Sequence, residues 1–134
     1  MAGLATRLGE AEAALATLDE AVAGASRSLM ERDSAILRLI YTFEAIWKAC
    51  QAALAEREDI EVASPNTAIR AARRLGWLSD DDAAAAMTIG RDRNLAVHMY
   101  RGQIGAEIEE RLASHAIVLR RWLDALRQRD AERD

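Results

Sequence analysis

The sequence predicts an all-α protein: an antiparallel up-down four-helix bundle with one short additional helix, in a single domain over residues 1–134. Three observations lead there. Breakers are scarce, with Gly 7 and Pro 1 among 134 residues, while alanine alone occurs 29 times. Three long segments carry apolar residues at alternating spacings of four and three, the mark of a helix with one buried stripe. Helix-start signals precede the segments at Ser28, Ser64 and Ser79.

The first helix is expected over about 4–22, where Leu4, Leu8, Ala11, Leu15, Leu18 and Val22 form the stripe. A break follows over 24–28. Ser28 and Glu31 then read as a capping box, each side chain satisfying an orphan backbone N–H of the other's residue. The second helix, about 29–57, is the most strongly patterned. Ile36, Ile40, Phe43, Trp47, Cys50 and Leu54 make its stripe, and Leu37, Leu39 and Ile46 widen it, so this helix is expected at the centre. Residues 58–63 make a loop. Ser64-Pro65 starts the short extra helix, with a hydroxyl N-cap and a proline at N1, where the missing N–H costs nothing. Gly76 ends it. Ser79 and Asp80 to Asp82 open a fourth helix reaching about 98 or 99. The hydroxyl caps it and the carboxylates complement the positive end of its dipole, a reading preferred to metal binding. Arg101-Gly102 marks a turn. The last helix, about 103–128, repeats the pattern in Ile108, Leu112, His115, Leu119, Trp122 and Leu126, and the charged tail 129–134 is expected to fray. The alanine faces let helices approach closely and leave weakly apolar surface that suits a dimer.

Composition removes several classes of function. Lys+Arg 18 against Asp+Glu 22 gives a net charge of −4, which argues against coating nucleic acid or an anionic membrane by charge alone. Seventeen of the 18 basic residues are arginines and Lys48 is the exception. One cysteine, Cys50, leaves no intramolecular disulfide framework and fits a reducing compartment, with a small buried hydrophobe as its expected role. No apolar run approaches a membrane span, and the N-terminus shows no basic segment followed by an apolar one, so a cytoplasmic protein is expected. Two well-separated histidines and one thiol make a zinc site improbable, and no cofactor is expected.

Chemistry concentrates in one stretch, Arg91-Asp92-Arg93-Asn94-Leu95-Ala96-Val97-His98-Met99-Tyr100. A guanidinium, an amide, an imidazole and a phenol near a helix end can bind a phosphodiester, orient it and move protons. Asn94 and His98, four apart, share a helix face. Arg93 and His98 are five apart, which on an ideal helix turns them about 140° from each other. Either the arginine reaches around, the helix distorts, or a second subunit completes the site. On the central helix, Glu44 and Lys48 are spaced for an i,i+4 pair, while the neighbouring Phe43 and Trp47 make Glu44 equally a candidate site or interface residue. Trp77 is expected to be a packing anchor, and His115 a packed histidine within its stripe.

A longer series of motifs extends the argument. Tyr41-Thr42-Phe43-Glu44-Ala45-Ile46-Trp47-Lys48, Ser64-Pro65-Asn66, Leu75-Gly76-Trp77 and Arg93-Asn94 with His98 and Tyr100, in that order, resemble the HEPN superfamily. Within it they resemble most the nucleotidyltransferase substrate-binding-protein branch, the partners of minimal nucleotidyltransferases (MNT). The resemblance covers about 29–127. It implies a helical bundle that dimerises with an Arg-x4-His motif lining the interface cleft, and metal-independent endoribonuclease activity. On that pattern Arg93 neutralises the phosphate, His98 is the acid/base and Asn94 is supporting. The resemblance further implies a toxin neutralised by an MNT antitoxin that attaches AMP to a tyrosine two residues past the histidine, here Tyr100. The sequence departs from the family pattern at Arg101, where an acidic residue is common. The alternative is a non-catalytic nucleotide- or substrate-binding subunit of a two-component nucleotidyltransferase.

Overall fold

A computed structural model describes residues 3–24, 26–99 and 102–132. Five helices succeed one another: α1 (Leu4–Val22), α2 (Leu29–Glu58), α3 (Pro65–Arg74), α4 (Asp80–Met99) and α5 (Gly102–Ala131). Their starts follow from local chemistry. Ser28 Oγ accepts the Glu31 N–H at 3.1 Å while the Glu31 carboxylate accepts the Ser28 N–H at 2.8 Å. Ser64 and Thr67 make the reciprocal pair ahead of α3. Ser79 Oγ accepts the Asp82 N–H at 3.0 Å, and Asp80 and Asp82 are ion-paired with Arg73 and Arg121, in keeping with a capping role for the acidic triplet. The ends are equally local. Asp59 caps α2 in the left-handed region at φ 58°, tolerated by a short polar side chain, and Gly76 at φ 76° turns the chain out of α3.

Ion pairs between helices define the direction of each. The Leu4 N–H donates to Glu56 near the far end of α2 at 2.9 Å, so α1 and α2 run antiparallel. Arg27, just before α2, reaches Glu109 near the start of α5, and Arg57 reaches Asp130 near its end, so α2 and α5 run parallel. Asp92 late in α4 meets Arg111 early in α5. The order is therefore up-down-up-down with α3 inserted before α4. The central helix α2 packs on each of the others, and α1 and α4 lie on opposite sides of the α2–α5 pair.

The α5 stripe is buried as expected, including His115 and Trp122, and so is the α1 stripe from Leu4 to Leu18, with Val22 at its end only partly buried. Phe43 of α2 meets Trp122 of α5 edge-to-face at 6.2 Å in the middle of the core. Truncating a buried leucine here, such as Leu15→Ala, is expected to cost about 2–5 kcal/mol. Cys50 is buried, and burial pushes its thiol up to about 12, with the Trp122 indole offsetting part of the effect. It is therefore a packed group and not a nucleophile.

Two expectations need correction. Leu37 does not widen the α2 stripe; it is 44% exposed. Residues 129–131 do not fray, because Arg129 lies 6.0 Å over the buried Trp77 ring and Asp130 pairs with Arg57 at 3.1 Å. Among the described residues, no helix is long and apolar enough to cross a membrane.

Candidate functional site

Asp92 and Arg93 are consecutive on α4 and so point about 100° apart. Asp92 turns inward, only 2% exposed, toward α5. Arg111 Nε and Nη2 donate to its two carboxylate oxygens at 2.8 Å each, and His115 Nε2 lies 2.7 Å from Oδ2. Burial raises the Asp92 carboxyl's affinity for a proton. The hydrogen bonds from His115 and Arg111 and the guanidinium charge outweigh it, holding the group down at about 2. An ionised carboxylate only accepts, so His115 Nε2 carries the hydrogen. This fully partnered cluster fixes the rotation of α4 against α5.

With α4 so fixed, Arg93 faces α2. Its Nη2 pairs with Glu44 Oε1 at 2.8 Å and its Nη1 donates to Asn94 Oδ1 at 2.9 Å. The Trp47 indole N–H donates to the other Glu44 oxygen at 3.3 Å. Arg93 Nε is buried and has no acceptor. The i,i+4 pair expected between Glu44 and Lys48 does not form; the Glu44 carboxylate turns to Arg93 instead.

Beside Arg93 opens a cavity of about 460 Å³, walled by Phe43 of α2, the α3 start at Ser64 to Asn66, and Met87, Gly90, Arg91, Arg93 and Asn94 of α4. α2 approaches Gly90 closely: a Cβ there would sit 3.2 Å from Phe43 Cζ, and the ring would have to shift by a few tenths of an ångström to admit it. The structure thus brings Arg93, Asn94 and Glu44 together. It does not bring His98 to them. His98 is exposed, lies outside that cavity, and forms no hydrogen bond or ion pair with a described residue. The helix stays regular from Asp80 to Met99, so the offset of about 140° between Arg93 and His98 persists. Tyr100 lies outside the described residues.

Sequence reasoning misses one buried polar group. Asp92 reads in the sequence only as a neighbour of the arginines, although Arg111 and His115, four apart on α5 beside its apolar stripe, signal a buried acceptor opposite. Arg91, the first residue of the stretch singled out in the sequence, lines the cavity.

Three comparisons place this geometry. The family model described as nucleotidyltransferase substrate binding protein like matches residues 6–128, and so includes α1, which the motifs alone did not reach. A Thermus thermophilus protein of known crystal structure is 46% identical, with a TM-score of 0.83, covering 87% of this chain and 98% of that one. A tri-AMPylated Shewanella oneidensis HEPN toxin, solved in complex with its MNT antitoxin, shares the fold at 14% identity and a TM-score of 0.78, covering 93% and 96%. A toxin–antitoxin structure with AMP-PNP does so at 13% and 0.77, covering 92% and 96%. No curated protein matches the chain.

Proposed function

The chain belongs to the nucleotidyltransferase substrate-binding-protein-like family of the HEPN superfamily, and from that premise we propose that it is the toxin of a HEPN–MNT toxin–antitoxin pair. Its activity is metal-independent cleavage of RNA, in the cytoplasm, by a homodimer. The observation that carries this reading is the sequence series Arg93-Asn94…His98-x-Tyr100, with Arg93 of α4 held at the mouth of a cavity by Glu44 and Asn94.

The chemistry follows from the groups. Attack of a ribose 2′-oxygen on the adjacent phosphorus builds negative charge on the phosphoryl oxygens, which Arg93 neutralises in a fork-shaped contact. Glu44 and Asn94 hold the guanidinium in orientation before substrate arrives. The His98 imidazole moves the proton from the attacking hydroxyl or to the departing 5′-oxygen.

The 140° offset supports completion of the site by a second copy, and exposed apolar surface beside it supports the same reading. On the outer face of α2, Met30, Leu37 and Tyr41 recur at spacings of seven and four, exposed by 83%, 44% and 53%. Val97, next to His98, is 51% exposed. Between them runs a groove of about 270 Å³ lined by Ile36, Leu37, Ile40, Ala96 and Asp33. Packing two such faces together would bury these side chains and bring His98, beside Val97, to the seam between the copies.

Neutralisation fits the same electrostatics. Transfer of AMP from ATP to the Tyr100 hydroxyl by the MNT partner, releasing pyrophosphate and the phenolic proton, adds a bulky anion two residues beyond His98 in the Arg-x4-His-x-Tyr pattern, and such an anion repels RNA phosphate. The AMPylated state of the Shewanella toxin supports this choice of modification.

The test is expression without the partner. Growth arrest and RNA cleavage in EDTA are expected for the wild type, with His98→Ala and Arg93→Ala harmless. A wild type that is harmless and cleaves no RNA contradicts the reading. One observation favours the alternative, a nucleotide-binding subunit: the cavity is lined by Arg91, Arg93 and Asn94 but not by His98. That reading predicts calorimetric binding of nucleotides that depends on Arg93, with no RNA cleavage.

A further inference from the structure

The solvent face of α3 and α4 carries guanidinium groups that pair with no carboxylate among the described residues. Arg70, Arg74 and Arg91 form no hydrogen bond or ion pair with a described residue, whereas Arg73 beside them is paired with Asp80 at 2.8 Å. These cations border a connected series of hollows. The cavity at Arg93 includes Arg91 and ends at Met87. Met87 also walls a hollow of about 150 Å³ that reaches Arg70. Arg70 in turn opens a groove of about 450 Å³ bounded by Arg73, Arg74 and Asp80.

We propose that this face is the track of a single RNA strand flanking the scissile bond, with the first flanking nucleotide seated in the Arg93 cavity. Arg91 binds its phosphate, and Arg70 and Arg74 bind phosphates further along. The proposal rests on the ribonuclease reading and deepens it by locating the substrate beyond the reacting phosphate. The chemistry favours a single strand. Cations alternate with base-sized hollows, the first walled by Pro65 and Met87, and only unpaired bases can be splayed into such hollows. A volume near 460 Å³ lies within the range of about 300–1,000 Å³ typical of small-ligand sites and so accommodates one nucleotide. The net charge of −4 makes such a local track the route to RNA binding, since the molecule as a whole repels polyanions. An acidic protein surface also seeks arginines, but gains nothing from hollows between them.

The experiment uses the full chain and a fluorescein-labelled single-stranded RNA whose 2′-hydroxyls are methylated, so that it binds without being cut. Anisotropy titrations at several salt concentrations compare the wild type with R91A, the double variant R70A/R74A and, as a control on α1, R7A. Tenfold or greater weakening is expected for R91A and about tenfold for R70A/R74A, whose salt slope falls by about 1.4, the value for two single-strand phosphate contacts. R7A is expected to bind like the wild type. Charge reversal in R91E deepens the loss.

No binding by the wild type overturns the track, as does unchanged affinity in both arginine variants of a protein that still cleaves RNA. In the second case the ribonuclease reading stands. Arginine-dependent binding by a protein that cleaves no RNA in EDTA supports the track and removes the ribonuclease reading. If R70A/R74A loses capture of the MNT partner while RNA affinity is unchanged, the face is a protein dock and the track is overturned.

Discussion

Asp92 and Arg93 are neighbours in the chain and opposites in the structure. Asp92 is 2% exposed, and Arg111 and His115 saturate its carboxylate from the same chain. Arg93 sits at a cavity mouth in a pair whose two side chains are each 30% exposed, its Nε has no acceptor, and the histidine of its motif points elsewhere. The first is a finished fastening. The second is, on the proposed function, a site that a second copy completes. Polar groups that serve stability find their partners during folding, whereas groups that serve a substrate or a second subunit keep capacity in reserve.

The largest expected effect separates the two regions by activity. Arg93→Ala and His98→Ala are each expected to lower RNA cleavage at least about 100-fold while changing unfolding free energy by less than about 1 kcal/mol, measured by single-turnover cleavage and urea denaturation. Asp92→Ala is expected to do the reverse in the first instance. It strands Arg111 and His115 against a buried space and costs about 3–5 kcal/mol in urea denaturation. A cost below about 1 kcal/mol would erase the distinction between the two regions.

Acid titrates the fastening. The folded Asp92 carboxyl is held down at about 2, below its value in the unfolded chain, so the unfolded chain takes up the proton first as pH falls. Its stabilisation is complete above pH ~4 and is lost as pH falls through about 2, a change of about 2 kcal/mol. Unfolding free energies between about pH 5 and 2 are expected to show this leg in the wild type and to lack it in Asp92→Asn. The smallest effect is expected for Glu44→Gln. The amide still accepts the Trp47 indole, and loss of a half-exposed ion pair costs less than about 1 kcal/mol in the same assay. A cost of about 3 kcal/mol or more would make Glu44 a fastening like Asp92.

Much of the fold was legible because its signals are local. The stripe of α1, the capping boxes at Ser28 and Ser64 and the turn at Gly76 each depend on residues within a turn or two of one another. Leu37 was misplaced because periodicity gives the width of an apolar face and not which edge a neighbouring helix covers. The end of α5 was cut short because its anchors, Trp77 and Arg57, are distant in sequence. The site was half legible. A local cluster of polar groups and the family resemblance marked Arg93, Asn94 and His98, and the five-residue spacing announced the offset that the regular helix α4 preserves. Which carboxylate Arg93 would meet, and that Asp92 would be buried, depended on the approach of α2 and α5.

The central claim is that two copies complete one another's sites. The direct measurement is RNA cleavage in EDTA by an equimolar mixture of refolded Arg93→Ala and His98→Ala chains, each inactive alone. If each site takes Arg93 from one chain and His98 from the other, half of the dimers are mixed and each carries one intact site, so about a quarter of wild-type activity is expected to return. A mixture as inactive as its components, beside an active wild type given the same refolding, would contradict the account.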